Sequence, residues 1–207
     1  EYGSANNTNN SSNSNGINLT NNATSATNSI TGSSIYMKGN SNIGVRIAEP
    51  GALTFQNNNM NMSGSGNYGL YLAPGKSIAS ISGNSTSSSG SSNVGIFISE
   101  GAKIPNISGG THTVNGTSST GIDIHTLEDT TISGTTFNVN NYSSTGIRAG
   151  RTTTPNNTST GNLNISGSTF NILTDPVTGV SRGNSGNSDS SAAVYLYNVT
   201  KTTVDPR

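Results

Sequence analysis

Few side chains in this 207-residue chain could do chemistry, and the most promising ones lie close together. Asp123 and His125 are two residues apart, so on a β-strand they would share one face, and Glu128 and Asp129 follow shortly after. Carboxylates beside an imidazole are groups that acid–base catalysis and metal binding use. A set of this kind without further ligands is more typical of a solvated turn, and that is our interpretation. We therefore expect no catalytic residue, no metal site and no cofactor.

In the middle of this chain the apolar residues repeat at intervals of 25 or 26 residues. The other histidine, His112, stands at the position that Phe137 holds in the next repeat, which predicts a ring packed in the core. Enzymes that cleave polysaccharides need several carboxylates, together with Arg or Lys, in one groove. The nine acidic residues of this chain are scattered along its length and predict no such groove. We expect no enzyme, and a carbohydrate-active enzyme is the weaker alternative.

Composition argues against several further classes of protein. Only 9% of residues are charged, and nine basic residues balance nine acidic ones, so we expect no nucleic-acid partner. Cysteine is absent, which excludes disulfides and thiolate metal sites. No apolar run approaches the roughly 18–20 residues that cross a bilayer, so we expect no membrane insertion by this segment.

The apolar residues recur in a four-residue phrase of the form Gly-Ile-x-Ile. The phrase returns every 25 or 26 residues in the middle of the chain, and its copies, including a weaker one at each end, begin at Gly16, Gly44, Gly69, Gly95, Gly121, Gly146 and Ala193. Two more apolar phrases accompany it, one of the type Ile-Ser-Gly and one alternating triplet such as Phe137-Asn-Val. From the triplet to the next glycine is nine residues in every repeat but the last.

Each repeat thus holds three short segments with apolar residues at alternate positions, which is the period of a β-strand. The pattern predicts an all-β fold, a right-handed parallel β-helix (a solenoid) of about seven coils of 25–26 residues with three strands per coil. Inward residues such as Ile96 and Ile98 would fill a narrow core. An apolar content of 29% therefore does not require disorder. The Asn- and Ser-rich links, such as residues 89–93, are expected to stack side chains between coils.

The boundaries follow from the same spacing. Residues 16–207 are assigned to the β-helix, and residues 1–15 to a loose N-terminal segment or the end of an upstream coil. Breaks in the spacing predict inserted loops near residues 150–160 and 173–188. Such inserts either form binding surfaces or are neutral. Because the sequence stops soon after the first strand of the seventh coil, we expect a piece of a longer protein.

The outward positions of the first strand carry large side chains where Ser or Thr would serve. Tyr71 and Phe97 would form an exposed aromatic strip between two arginines, and such side chains favour interfaces. The expected partner-binding residues are Arg46, Tyr71, Phe97, Arg148 and Tyr195, with the insert around Arg182 as a lid. The alternative is that these aromatic residues only suit a strand and stack on one another.

The outward positions of the third strand are instead small and polar, as in Thr111 and Thr113 or Thr136 and Asn138. A flat Thr-rich ladder is what an ice-binding solenoid displays. Thr is favoured on any solvated strand, however, and Tyr36 breaks the regularity. An ice-binding protein is therefore a less favoured alternative.

The segments Gly-Asn-Tyr-Gly69-Leu-Tyr-Leu-Ala-Pro-Gly and Ser-Asn-Val-Gly95-Ile-Phe-Ile-Ser-Glu-Gly resemble repeats of type V autotransporter passenger domains, which are large surface adhesins of Gram-negative bacteria. Vacuolating-cytotoxin-like and fusobacterial-type repeats are the nearest in style. The resemblance spans about residues 16–200 and carries no diagnostic site. It implies a non-enzymatic rod, extracellular and displayed on a Gram-negative cell surface, that attaches to a host-cell or bacterial surface protein or glycan. The alternative is an extracellular filament or matrix subunit that self-associates by stacking of coils.

Overall fold

A computed structural model of the chain describes residues 13–20, 27–141, 143–150, 161–172, 191–197 and 202–205. These residues form twenty strands and no helix, hence no helix that could span a membrane. Each strand pairs in parallel with the strand three places along the chain. The predicted all-β parallel solenoid with three strands per coil is confirmed, while its right-handed sense stays a prediction.

The strands form three sheets that run the length of the solenoid. The first sheet contains β1 (Asn15–Leu19), β4 (Ile43–Ile47), β7 (Tyr68–Leu72), β10 (Val94–Ile98), β13 (Thr120–Ile124), β16 (Thr145–Ala149) and β19 (Ala192–Leu196). The second contains β2 (Thr27–Thr31), β5 (Ala52–Gln56), β8 (Ser80–Ser82), β11 (Asn106–Ser108), β14 (Thr130–Ser133), β17 (Leu163–Ser166) and β20 (Thr202–Asp205). The third contains β3 (Ser34–Met37), β6 (Asn59–Met62), β9 (Ser85–Ser88), β12 (Thr111–Val114), β15 (Thr136–Val139) and β18 (Thr169–Ile172).

The chain makes about five turns without interruption between residues 27 and 141. Strands before and after that stretch pair in the same register and bring the first sheet to seven strands. The repeat pattern does not predict β20, which gives the seventh coil a second strand paired with β17. Most of the two predicted inserts lies outside the described residues.

Equivalent residues of successive repeats stand side by side and build the core. On the first sheet the inward residues of neighbouring coils are paired and fully buried: Val45, Leu70, Ile96, Ile122 and Ile147. Burial of each such aliphatic side chain contributes about 1.5–3 kcal/mol. A shift of one residue in the register would turn the whole set outward, so the repeat pattern fixes the register.

Three large side chains of the links belong to the core although no repeat phrase contains them. Ile78, Ile104 and Leu127 lie in the links between the first and second sheets and are at most 2% exposed. These links are extended only locally, with one isolated bridge between Ser77 and Lys103. Because the links are too short to show an alternating pattern, the sequence gives no strand signal for them.

Stacked polar side chains close the corner between the third and first sheets, as the Asn- and Ser-rich links predict. Between the third and first sheets, Asn67 Oδ1 accepts a hydrogen bond from the Asn42 backbone N–H (2.8 Å). Asn93 Oδ1 accepts one from the Asn67 N–H (2.8 Å), and the Ser119 hydroxyl continues the ladder in the next coil. Buried backbone N–H groups that form no hydrogen bond within a sheet find their acceptors in these side chains.

His112 is the most unusual member of the core. Its ring is fully buried and stacks on Phe137 with the ring centroids 5.2 Å apart, which confirms the predicted packed ring. Its Nδ1 lies 2.8 Å from the Thr86 hydroxyl, and no group of the described residues hydrogen-bonds its Nε2. Desolvation by burial lowers the pKa of His112 from 6.5 to about 4.

We expect this histidine to make the solenoid less stable in mild acid. Because the pKa in the folded state lies below that in the unfolded state, the unfolded chain binds more protons between the two values. The contribution of His112 to the free energy of unfolding is therefore fully present above pH 6.5. It falls by about 3 kcal/mol in all as the pH drops towards 4. Urea unfolding at several pH values measures this loss.

The matched variant for this measurement is His112→Phe, which extends the Phe137 stack and takes up no proton. The substitution leaves the Thr86 hydroxyl without its partner at every pH, so it changes the free energy of unfolding by the same amount at each pH. The titration of all other groups is common to both chains. An equally steep pH dependence in His112→Phe and the parent would contradict the assignment.

Candidate binding site on the first sheet

The outward residues of the first sheet form the column that the sequence predicts. Neighbouring strands pair them in the order Asn18, Arg46, Tyr71, Phe97, Asp123, Arg148 and Tyr195. Because their side chains point away from the core, the fold itself places no demand on their size.

The aromatic part of this column is more enclosed than predicted. Tyr71 and Phe97 stack with their ring centroids 5.1 Å apart, as expected. Tyr68 and His125 also contact Phe97 edge-on, at 4.9 and 4.6 Å between centroids. Phe97 is consequently only 8% exposed, so the expectation of an exposed aromatic strip is wrong at this residue.

A buried ion pair lies directly beside the rings. Arg148 Nη2 donates a hydrogen bond of 2.5 Å to Asp123 Oδ2, and His125 Nε2 lies 3.8 Å from the same oxygen. Asp123 is 1% exposed, so our interpretation of Asp123 and His125 as a solvated turn is wrong. Burial alone would lower the pKa of Arg148, but the hydrogen bond and the charge of Asp123 raise it above its ordinary value.

The two other acidic residues of the expected cluster lie elsewhere. Glu128 forms an ion pair with Lys103 (3.2 Å). Asp129 Oδ1 accepts hydrogen bonds from the backbone N–H and the side-chain amide of Asn162, both at 2.9 Å, and these bonds lower the pKa of Asp129. Within the described ranges, no group of three His, Asp or Glu side chains could hold a metal ion.

The rings and the ion pair line one concavity of about 390 Å³, here called the Phe97 cleft. Its lining residues are Tyr68, Ser92, Val94, Phe97, Ser118, Asp123, His125 and Arg148. Ser92 and Ser118 occupy equivalent turns of successive coils, both with positive φ (56° and 54°), and bring two exposed hydroxyl side chains to the rim. The cleft thus combines aromatic rings, a paired charge and hydroxyl groups on an otherwise regular sheet.

No protein-family model, curated protein or solved structure matches this chain. The use of the cleft therefore has to be inferred from its own geometry. Small-ligand sites are concave, largely aromatic or apolar, and carry a few polar groups that orient the ligand. The Phe97 cleft is concave and joins aromatic rings to polar groups, although half of its lining residues are polar: Ser92, Ser118, Asp123 and Arg148.

The other residues predicted to bind a partner lie around the cleft or outside the described part. Tyr71 stacks on Phe97 without lining the cleft. Arg46 is half-buried and donates a hydrogen bond to Asn18 Oδ1 (3.3 Å). Tyr195 is 49% exposed and follows Arg148 in register. Arg182 lies outside the described residues.

Six of the eight lining residues were not predicted to bind a partner, and three of these six carry a ring or a charge: Tyr68, Asp123 and His125. Asp123 could have been found, because the repeat spacing places it beside Arg148, and opposite charges in neighbouring strands pair. Tyr68 gives no such signal, because it stands at the start of β7, where alternation alone does not fix the direction of a side chain. His125 was expected to share a face with Asp123, but it stands just after β13, and the spacing does not show that its ring packs on Phe97.

The small polar face of the third sheet is the other candidate surface. Its amides and hydroxyls bond one another between coils, as when Asn138 Nδ2 donates to Thr113 Oγ1 (3.3 Å) and Asn171 Nδ2 donates to Asn138 Oδ1 (2.8 Å). Tyr36, 41% exposed, interrupts this face. Groups already bonded to one another have less capacity to order water, so we favour the first sheet as the functional surface.

Proposed function

We propose that this chain belongs to a non-enzymatic, surface-displayed adhesive rod, and that its Phe97 cleft binds a molecule on host cells or on other bacteria. The observation that carries the proposal is the gathering of aromatic rings and a buried ion pair in one concavity of the outer face. The resemblance of the repeats to Gram-negative autotransporter passengers supports an extracellular location on the bacterial cell surface.

The energetics of the outer face support a binding role. Removing Asp123 and Arg148 from water costs several kcal/mol before their attraction offsets it, and small polar residues at these positions would avoid that cost. Tyr and Arg are also the residues that contribute most strongly to binding when water is excluded around them. A solenoid held together by its inward residues needs none of these features for stability.

The chemistry of the cleft supports binding over catalysis. Asp123 is the single carboxylate of the described lining, and Arg148 already engages it. Hydrolysis of a glycosidic bond ordinarily uses two carboxyl groups, one of which holds a transferable proton.

The alternative is a self-associating filament subunit. The feature that favours it is the neighbouring pair Tyr195 and Leu196 of β19, which are 49% and 38% exposed. Light scattering of the purified chain over a range of concentrations tests this alternative. A molar mass that stays at 21.0 kDa would contradict assembly by this segment.

The double substitution Tyr71→Thr with Phe97→Thr is expected to weaken adhesion strongly while the solenoid still folds. Both residues lie on the outer face, but Phe97 is 8% exposed and stacked on Tyr71, so we expect the free energy of unfolding to fall by about 3 kcal/mol. Beads coated with the parent or the variant are applied to candidate host and bacterial cells, and the bound beads are counted.

Tyr36→Thr is the matched control, since Tyr36 is an exposed ring on the third sheet. It should leave bead binding unchanged. If the folded double variant binds cells as well as the parent does, the cleft has no part in adhesion.

A further inference from the structure

We propose that the Phe97 cleft recognises an uncharged saccharide, one or two rings long, with a C–H face of the sugar against the aromatic rings and neighbouring hydroxyls on Asp123 and Arg148. The inference deepens the proposed function and rests on it for placing this sugar on another cell. Binding of the sugar itself can be measured independently of adhesion.

The size of the cleft favours a small ligand. Its volume of about 390 Å³ lies at the lower end of the range for small-molecule sites. Protein partners usually cover broad surfaces of about 800 Å² on each side, far more than this concavity offers. One or two sugar rings fit its scale.

The aromatic residues offer the apolar half of a sugar-binding site. Phe97 is stacked on Tyr71 and makes T-shaped contacts with Tyr68 and His125, so its ring, 8% exposed, is fixed before a ligand arrives. The faces of aromatic rings carry partial negative charge and attract the partly positive hydrogens of C–H groups. A pyranose presents such hydrogens together on one face. Because the rings are already in place, binding costs little conformational entropy.

The ion pair offers the polar half. Asp123 Oδ1 and Arg148 Nε are buried and hydrogen-bond no group within the described residues. An unpaired buried acceptor or donor destabilises the protein, and a ligand that pairs with it recovers this cost. Two adjacent hydroxyls suit this pair, since one donates to Asp123 Oδ1 and the other accepts from Arg148 Nε. The Arg148 side chain is 20% exposed, and it has to rotate for a ligand to reach these two atoms.

The charge balance of the cleft favours an uncharged ligand. Arg148 is neutralised by Asp123 at a distance of 2.5 Å. An anionic sugar would compete with Asp123 for Arg148 and leave a buried carboxylate without its partner, which is strongly unfavourable. A cationic ligand would meet Arg148, whose own charge persists at every relevant pH. Hydroxyl groups avoid both penalties because each can donate and accept.

The experiment uses immobilised, multivalent glucose, galactose, mannose, fucose, N-acetylglucosamine and N-acetylgalactosamine, with their disaccharides, beside sialylated and glucuronic-acid counterparts. Multivalent display compensates for a weak single-site affinity, expected at Kd of about 0.1–1 mM. Calorimetry with the soluble form of the best-bound sugar then gives the affinity of the parent and its variants.

Two cleft variants and one control identify the site. Phe97→Leu keeps an apolar side chain but removes the ring, and we expect at least about tenfold weaker binding. Asp123→Asn keeps the shape but changes one acceptor into a donor, and a similar loss is expected. Tyr36→Leu should bind like the parent. Circular dichroism checks that each variant is folded. If Asp123→Asn does not fold, Phe97→Leu alone tests whether the sugar binds in the Phe97 cleft.

Three results would overturn the saccharide assignment: no sugar of the panel binds, only acidic sugars bind, or the folded Phe97→Leu variant binds as tightly as the parent. In the bead assay the target cells are treated either with periodate, which destroys sugars, or with protease, which removes proteins. The two treatments distinguish a wrong saccharide assignment from a wrong adhesive function. Beads that bind periodate-treated but not protease-treated cells would point to a protein partner and leave the adhesive function standing. Sugar binding without any cell adhesion would leave the saccharide site standing and contradict the adhesive function.

Discussion

Gly95→Ala is expected to lower the free energy of unfolding by about 3 kcal/mol or more, enough to unfold much of a marginally stable solenoid. A Cβ atom at residue 95 would stand 2.5 Å from the carbonyl oxygen of Gly121 in the next coil and closer still to the Thr86 hydroxyl. Backbone cannot move out of the way without breaking the ladder between β10 and β13. Chemical denaturation followed by circular dichroism measures the loss.

The same geometry explains why the repeat phrase begins with glycine. At Gly44, Gly69, Gly121 and Gly146 an added Cβ would also stand no more than 2.7 Å from a carbonyl oxygen of the following coil. Gly134→Ala is the matched control, because nothing lies within 4 Å of a Cβ there and only its positive φ of 58° opposes a side chain. It should cost about 1 kcal/mol. Equal stability of the two variants would contradict the close approach of coils at residue 95.

Asn58→Ala is expected to cost about 3 kcal/mol. The side chain is 1% exposed, its Oδ1 accepts from the Ser33 backbone N–H (3.0 Å), and its Nδ2 donates to the Ile30 carbonyl (2.9 Å) and to Asn84 Oδ1 (3.0 Å). Truncation removes three hydrogen bonds at a buried corner, and each lost partner costs about 1–3 kcal/mol. Urea unfolding gives the value.

Asn61→Ala is the control for this ladder, because Asn61 points outward from the neighbouring strand β6 and is half-buried. It should change the free energy of unfolding by less than about 1 kcal/mol. If Asn58→Ala is no more destabilising than Asn61→Ala, the stacked amides do not stabilise the corners.

The fold could be predicted from this sequence because the repeat spacing alone determines the pairing. A constant nine residues from triplet to glycine leaves one register for the third and first sheets, which the pairing of Ile96 with Leu70 and Ile122 confirms. Ile78 and Ile104 could not be predicted, since their links show no alternation. Their burial follows from the path of the chain around the corner, which no local pattern encodes.

The sequence predicts which outward residues stand next to one another in the candidate site. It does not predict that neighbouring rings enclose Phe97. Aligning the repeats places Phe97 beside Tyr71 and Asp123, and the structure agrees. Whether Phe97 is exposed depends on which way Tyr68 and His125 turn at the ends of their strands. That choice depends on packing between coils, so spacing cannot reveal it. Thr86 is a second case in which spacing does not reveal a contact between coils. Its inward hydroxyl is polar, and its buried partner is His112 of the next coil.

A substitution scan of the whole chain, displayed on cells and sorted separately for folding and for attachment to target cells, tests the central claim most directly. Protease resistance reports folding, and capture by the target cell reports binding. The account predicts that changes at inward residues such as Ile96 remove both properties. Changes at Tyr68, Phe97, Asp123 and Arg148 should include many that remove capture alone. A scan in which no cleft residue separates binding from folding would contradict the claim that this outer face is a binding site built on the solenoid.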